Sequence, residues 1–492
     1  MASRLDAIQR ANAGLVEEMY RRFRADPGSV PEDWAIFFAG FELAQPSAGT
    51  GRPEGGVFGL VQHHRVFGHM GAWLDPLSER PPCPSLLEPS MFGFDDADLG
   101  REVDWAPFRP GRRGPLGELL AALRRTYCDT IGVEYMRLVD EERRAWLQER
   151  METVENHPAF EPAERRLLLR QLLQADGFEE FLHARFPGQK RFSLEGAGTL
   201  VPVLDALVEA AAGSGVEQIV FGMPHRGRLN VLAHVIGKPL EVILGEFEAT
   251  ALPEEVQGHG DVKYHLGCHA DHHTRGGADV HLDLHYNPSH LEFVDPVVLG
   301  AVRAKQDRMG DTARRRCLPV LIHGDASFAG EGIVTETLAL ADLPRYDTGG
   351  AVHIVVNNQV GFTTSPEQVR TARYPTQVAR VEDAPVFHVN GDDPEAALHV
   401  IRLAVAYRQR FGRDVFVDLV CFRKHGHNEM DDPTFTQPVM YRKVAAHPAV
   451  SRAYADRLRA EGVLDEATHA AMRDEVLSTL RAAHEHYRRE PR

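Results

Sequence analysis

The hydrophobic rhythm of the chain changes three times. Near its start Leu15, Val16, Met19, Tyr20 and Phe23 share one helical stripe, predicting an amphipathic helix over 5–24 that Asp26-Pro27-Gly28 ends. A second short helix over 31–41 presents Trp34, Phe37 and Phe38, and residues 45–56 are rich in Pro, Gly and Ser, as linkers are. Loops with short helices are expected up to residue 113. Between 117 and 186 leucines and charges recur at helical spacing, predicting a helical layer. From Lys190 strands and helices alternate: 218–221, 320–323, 353–356, 386–389 and 415–420 read as strands, and 394–410 as a helix. Alternation of this kind predicts an α/β fold, a doubly wound parallel sheet with helices on both faces, preceded by a helical N-terminal region. After Pro438 the residues are again charged and helical. The expected division is a helical docking segment 1–44, an irregular region 45–113, a helical layer 114–189, an α/β domain 190–445 and a helical tail 446–492.

Residues 318–358 form the centre of this pattern. The apolar run 318–323 stops at Gly324-Asp325, where a turn is expected; a helix is predicted over 332–343, and the β-branched run 351–356 ends in Asn357-Asn358. Strand, helix and strand make a βαβ unit whose right-handed crossover sets the strands parallel, so both polar ends reach one sheet edge. Open α/β sheets bind ligands at that edge. A carboxylate and an amide oxygen offered there suit magnesium, which takes oxygen ligands and needs few from protein when phosphates supply others. By themselves an isolated Asp and an Asn pair read more simply as a helix cap and a turn.

Composition narrows the functions. A net charge of −16 on 492 residues argues against nucleic acid or an anionic membrane as the main partner, since both attract basic surface. Five cysteines without a close pair suit a reducing, cytoplasmic setting and offer neither a disulfide framework nor a thiolate metal site. No run of 18 apolar residues exists, and acidic and basic side chains mix in the first 25, so no spanning helix, secretory signal or transit peptide is expected. Eight histidines lie between His259 and His290. Their composition permits a transition-metal site, but their spacing fixes no geometry.

Gly324-Asp325-Ala326 followed 33 residues later (358 − 325) by Asn358-Gln359-Val360-Gly361-Phe362-Thr363-Thr364 resembles the thiamine diphosphate and magnesium motif of the 2-oxoglutarate dehydrogenase first component. The resemblance runs from Val16 onward and is strongest between Lys190 and Tyr441, where 386–394 (VFHVNGDDP) and 426–438 also match. It implies a sheet of the thiamine diphosphate-binding type, with magnesium held by Asp325, Asn358 and the main-chain carbonyl of Val360, and with Ala326 and Ser327 touching the cofactor. In Met223-Pro224-His225-Arg226-Gly227 it implies that Arg226 contacts thiamine diphosphate and that His225 faces the substrate. Arginine suits a diphosphate, because its planar fork keeps its charge and donates in pairs. In Lys263-Tyr264-His265 and Asn287-Pro288-Ser289-His290-Leu291 it implies substrate contact at His265 and Ser289 and cofactor contact at Ser289 and Leu291. Two positions depart from the family: His269 stands where a small or hydroxylated residue near the substrate is usual, and Gln377 replaces a usual Asp.

The same resemblance implies oxidative decarboxylation of 2-oxoglutarate with succinyl transfer to a lipoyl group of the dihydrolipoyl succinyltransferase, which residues 16–41 would help to bind, in a homo-oligomer. The family's pyrimidine-binding domain and its thiazolium-activating glutamate match no position here. The expectation is therefore an N-terminal half or one subunit of a split enzyme, inactive without a pyrimidine-binding domain on a separate or missing chain. A non-catalytic docking or regulatory module, and a first component acting on 2-oxoadipate, are the alternatives.

Overall fold

The computed structural model describes residues 55–249 and 262–489, together with 19–24, 26, 29–31, 34 and 38. The helix predicted over 5–24 is described only from Met19, where it is helical; most of the linker and His259 lie outside the described residues. Phe23, Val30 and Phe38 bury one another with help from Met19, Tyr20 and Trp34.

Ten strands are described: β1 (Glu102–Asp104), β2 (Arg113–Pro115), β3 (Ile131–Glu134), β4 (Gln218–Gly222), β5 (Cys268–His273), β6 (Asp279–Leu284), β7 (Cys317–Gly324), β8 (Val352–Asn357), β9 (Val386–Asn390) and β10 (Val415–Val420). The first two form a separate antiparallel pair. The other eight make one sheet in the order β3-β9-β10-β8-β7-β4-β6-β5, parallel inside and antiparallel at both edges. Strands β8, β9 and β10 are buried along their whole length, and β7 up to Gly324, which is why they read as unbroken β-branched runs rather than alternating ones. Successive residues serve opposite faces: Val220, Cys317 and Leu321 pack against Val294, Val298 and Val302 of the helix Val294–Met309. Ile219, Phe221, Leu318, Val320 and Ile322 join the main core with the helices Leu200–Gly213 and Pro394–Phe411. That core runs without a break from Val57 to Leu480, and the terminal helix Glu466–Arg489 packs on the helices Pro162–Arg185 and Leu240–Ala249.

Three local expectations change. The helix predicted over 332–343 is shorter, Gly332–Leu338, and a separate short helix, Asp325–Gly330, precedes it across extended Glu331. Within the stretch read as helical, β3 joins the sheet beyond β9. The histidine-rich stretch holds the hairpin β5–β6, in which Val280, Leu282 and Leu284 point inward while Asp279, His281 and Asp283 point outward. No described helix is long and apolar enough to cross a membrane, and all five cysteines are free.

Candidate functional site

The site is assembled at the carboxyl edge of the parallel strands. Gly324 of β7 is in register with Val356 of β8, so Asp325 and Asn357-Asn358 leave neighbouring strands side by side. Parallel β4 and β10 bring the segments 223–228 and 421–429 to the same edge. The two central loops touch: a Cβ on Gly361 would lie 2.6 Å from the Cβ of Ala326, so position 361 admits only glycine without a shift. Gln359 and Phe362 adopt φ of 62° and 56°, left-handed values that non-glycine residues hold only when surrounding contacts fix them. Those contacts are present. Gln359 Nε2 donates to Asp75 Oδ1 (2.7 Å) and the Cys421 carbonyl (3.0 Å), Arg423 Nη2 to the Phe362 carbonyl (2.9 Å), and Gln437 Nε2 to the Thr363 carbonyl (2.9 Å).

The polar groups at this edge are under-supplied with hydrogen-bond donors. Asp325 is 3% exposed, and burial pushes its carboxyl up to about 6; Arg370, 3.4 Å away, opposes the rise, and the charge of Asp418 adds to it. The side-chain oxygens of Asn357 and Asn358 are buried and meet no donor among the described residues. Leaving such oxygens unpaired costs about 1–3 kcal/mol each, whereas a hard cation would satisfy Asn358 Oδ1 and neutralise Asp325 together. Asp325 and Asn358, with buried Val360 two residues on, therefore fit magnesium by donor chemistry.

Two guanidiniums lie in the loops of this edge. Among the described residues Arg226 donates to the carbonyls of Ser193 (3.1 Å) and His427 (2.8 Å); Arg423 donates to the carbonyls of His425 and Phe362 and to the Tyr441 hydroxyl. Neither has a carboxylate ion pair among the described residues. Burial, then the charge of Arg423, lowers Arg226 to about 10, and it remains a cation at neutral pH. Two cations without a direct carboxylate ion pair, beside a site suited to a divalent metal, suit a diphosphate, although the charges of Glu429 and Glu179 also act on Arg226. Arg228, two residues on, is wholly buried and ties down the carbonyls of Met223, Leu266 and His285, which is a structural task.

The other expected residues distribute as follows. His225 and His265 lie ring to ring at 4.8 Å, flanked by Phe192 and Tyr264, and His225 Nε2 donates to the Pro288 carbonyl at 3.3 Å. Burial, more than any other influence, lowers His225 to about 4, so it is neutral at physiological pH. Ser289 is exposed and follows Pro288, whose carbonyl accepts from His225. Half-buried Leu291 is brought to the metal loop by its neighbour, because Ser327 Oγ donates to Glu292 Oε1 as well as to the Gly324 carbonyl. Gln377 donates to Glu134 at 3.2 Å, where an aspartate would face a like charge.

Sequence reasoning missed Arg370, Arg423 and His427. His427 packs against Phe362 with ring centres 4.6 Å apart and the planes tilted by 53°, and burial lowers it to about 4. Arg423 follows a strand just as Arg226 does, so the same signal could have found it; nothing in the local sequence singles out Arg370.

Comparison with known proteins gives the family. The family model "Dehydrogenase E1 component" matches residues 171–492, and "2-oxoglutarate dehydrogenase N-terminus" matches residues 6–45. Among curated proteins, the 2-oxoglutarate dehydrogenase E1 component of Cupriavidus necator is 42% identical over 96% of this chain and 53% of its own length. That of Azotobacter vinelandii is 43% identical over 95% and 53%, and the mitochondrial 2-oxoglutarate dehydrogenase of Dictyostelium discoideum 42% over 93% and 49%. The chain thus spans about half the length of the curated relatives it matches.

Proposed function

This chain belongs to the dehydrogenase E1 component family, and from that premise we propose that it supplies the metal–diphosphate half of a thiamine diphosphate-dependent enzyme acting on 2-oxoglutarate. The observation that carries the reading is the pairing of buried Asp325 with the donorless Asn358 oxygen on adjacent strand ends. Asp325, Asn358 and the Val360 carbonyl hold Mg2+, and Arg226 holds the diphosphate, with Ala326, Ser327, Ser289 and Leu291 lining the cofactor. When bound, thiamine diphosphate supplies the electron sink that lets a 2-oxo acid lose carbon dioxide. His225 and His265, together with Ser289, orient the 2-oxo acid; neutral His225 has a single N–H, held by the Pro288 carbonyl across a long 3.3 Å, and serves the substrate by releasing that contact. The acceptor is the lipoyl group of a dihydrolipoyl succinyltransferase, on which the segment matched at 6–45 docks. Activation of the thiazolium falls to a pyrimidine-binding domain provided by other residues, so residues 1–492 bind the diphosphate without decarboxylating 2-oxoglutarate.

Calorimetry on the 492-residue chain tests this. Inorganic pyrophosphate and thiamine diphosphate should bind competitively, each only with Mg2+ present. Binding that is indifferent to chelation of Mg2+, or turnover of 2-oxoglutarate by this chain alone, overturns the respective half of the proposal. Adding a pyrimidine-binding domain should restore decarboxylation, and a panel of 2-oxoglutarate and 2-oxoadipate then fixes the substrate.

A further inference from the structure

The outward face of the β5–β6 hairpin carries a ladder that the diphosphate site does not use. Across the two strands His269 faces Asp283, Asp271 faces His281, and His273 faces Asp279, so imidazoles and carboxylates alternate both along and across the hairpin. This places the imidazoles on diagonals, and the rings of His269 and His281 lie 5.4 Å apart at 43°. An ion bound about 2.0–2.1 Å from one nitrogen of each ring, with tetrahedral angles, sets the ring centres about 5 Å apart, so the spacing of these two rings matches that of a chelating pair. His281 is also oriented for the task. Its Nδ1–H donates to Asp271 at 2.7 Å, which fixes the tautomer and leaves Nε2 as the acceptor, with no protein hydrogen bond among the described residues. A carboxylate on one imidazole nitrogen and a metal on the other is the usual support for a histidine ligand. His273 and Asp279 repeat the arrangement one rung away, also at 2.7 Å. The ladder is open to solvent, which gives an ion a path in.

From this geometry we propose that the β5–β6 hairpin carries a surface site for a borderline divalent transition metal, zinc or copper, with His269 and His281 as ligands and Asp271 orienting His281. Water fills the remaining positions. Two neutral imidazoles select such ions over magnesium, which prefers oxygen, so this site and the Asp325 edge take different metals. The buried trio Glu292, Asp295 and His323, whose ligand atoms also converge, is the weaker alternative. His323 spends Nδ1 on Glu292 (2.6 Å) and Nε2 on His353 (3.0 Å), and all three groups are at most 1% exposed. Because β5 is the edge strand, an ion on the diagonal pins it to β6.

Titration of the full chain with zinc chloride, in excess Mg2+ and against a chromophoric chelator, tests the proposal. One equivalent should bind with micromolar affinity, and amide exchange over 268–273 should slow as it does. His281→Ala and His269→Ala should each weaken binding by more than about 10-fold, and Asp271→Asn by about 10-fold. His486→Ala, at an exposed position on the terminal helix, should leave it unchanged. Zinc affinity that survives His281→Ala with unchanged circular dichroism, or no binding tighter than millimolar, overturns the proposal. A copper electron paramagnetic resonance spectrum that lacks nitrogen coupling does so too.

Discussion

Two buried polar patches of one sheet behave in opposite ways. Where β3, β9 and β10 lie side by side, fully buried His388 donates through Nδ1 to Asp418 (2.7 Å) and through Nε2 to Glu134 (3.1 Å), while Arg380 and Gln377 also serve Glu134, and one oxygen, Asp418 Oδ1, meets no donor among the described residues. At the carboxyl edge, among the described residues, Asp325 has one long ion pair and the side-chain oxygens of Asn357 and Asn358 meet no donor. Charge matched by charge is a structural tie; charge and dipoles left unmatched mark where a ligand belongs. Opposite directions of the pKa shifts express the difference. Burial works against the charge of Glu134, yet its hydrogen bond to His388 and neighbouring cations hold it down to about 2, whereas burial carries Asp325 up to about 6.

If that contrast is right, mutations in the two patches should separate stability from binding. The largest effect belongs to His388→Ala, which strands two buried carboxylates and should cost about 3–5 kcal/mol in a denaturant melt. Pyrophosphate affinity of the chain that remains folded should be nearly unchanged. The acid limb comes next. Because the folded pKa of Glu134 lies below its unfolded value, the stability it contributes is present above about pH 4.5 and is lost as pH falls toward 2, a contribution on the order of 3 kcal/mol. Glu134→Gln should flatten that part of the pH–stability profile, and an unaltered acid slope would remove the contrast.

At the edge, Asp325→Asn should weaken Mg2+-dependent pyrophosphate binding about 100-fold, equivalent to about 2.7 kcal/mol, while leaving the melt unchanged or more stable in the absence of metal. A large loss of stability instead would make Asp325 a structural residue. The smallest effect, about 10-fold or about 1.4 kcal/mol in the same binding assay, is expected of Gly361→Ala, whose new methyl group parts the two loops without touching a ligand.

Much of the site was legible because its residues stand at strand ends. Asp325, Asn358 and Arg226 each follow an apolar run, and parallel strands deliver their ends to one edge whatever the loops do. The strands β5 and β6 were not read, because their outward positions are His and Asp rather than residues that favour strands, although Val280, Leu282 and Leu284 alternate as a half-covered strand must. β3 escaped for another reason: four residues between two helices carry too short a period to register. The partners of a buried carboxylate, such as Arg370 for Asp325 across 45 residues, are set by tertiary packing and leave no local mark.

The position of β3 has a practical corollary for anyone trimming this protein. It comes from residues 131–134, yet it pairs with β9, whose first residue lies 252 positions later (386 − 134). A fragment begun at residue 190, where the alternation of strand and helix starts, would strip β9 of its outer neighbour and leave a bare row of main-chain donors and acceptors, an invitation to strand-to-strand aggregation. The shortest piece worth expressing must therefore reach back at least to Thr130, whose carbonyl already accepts from the amide of Asn390.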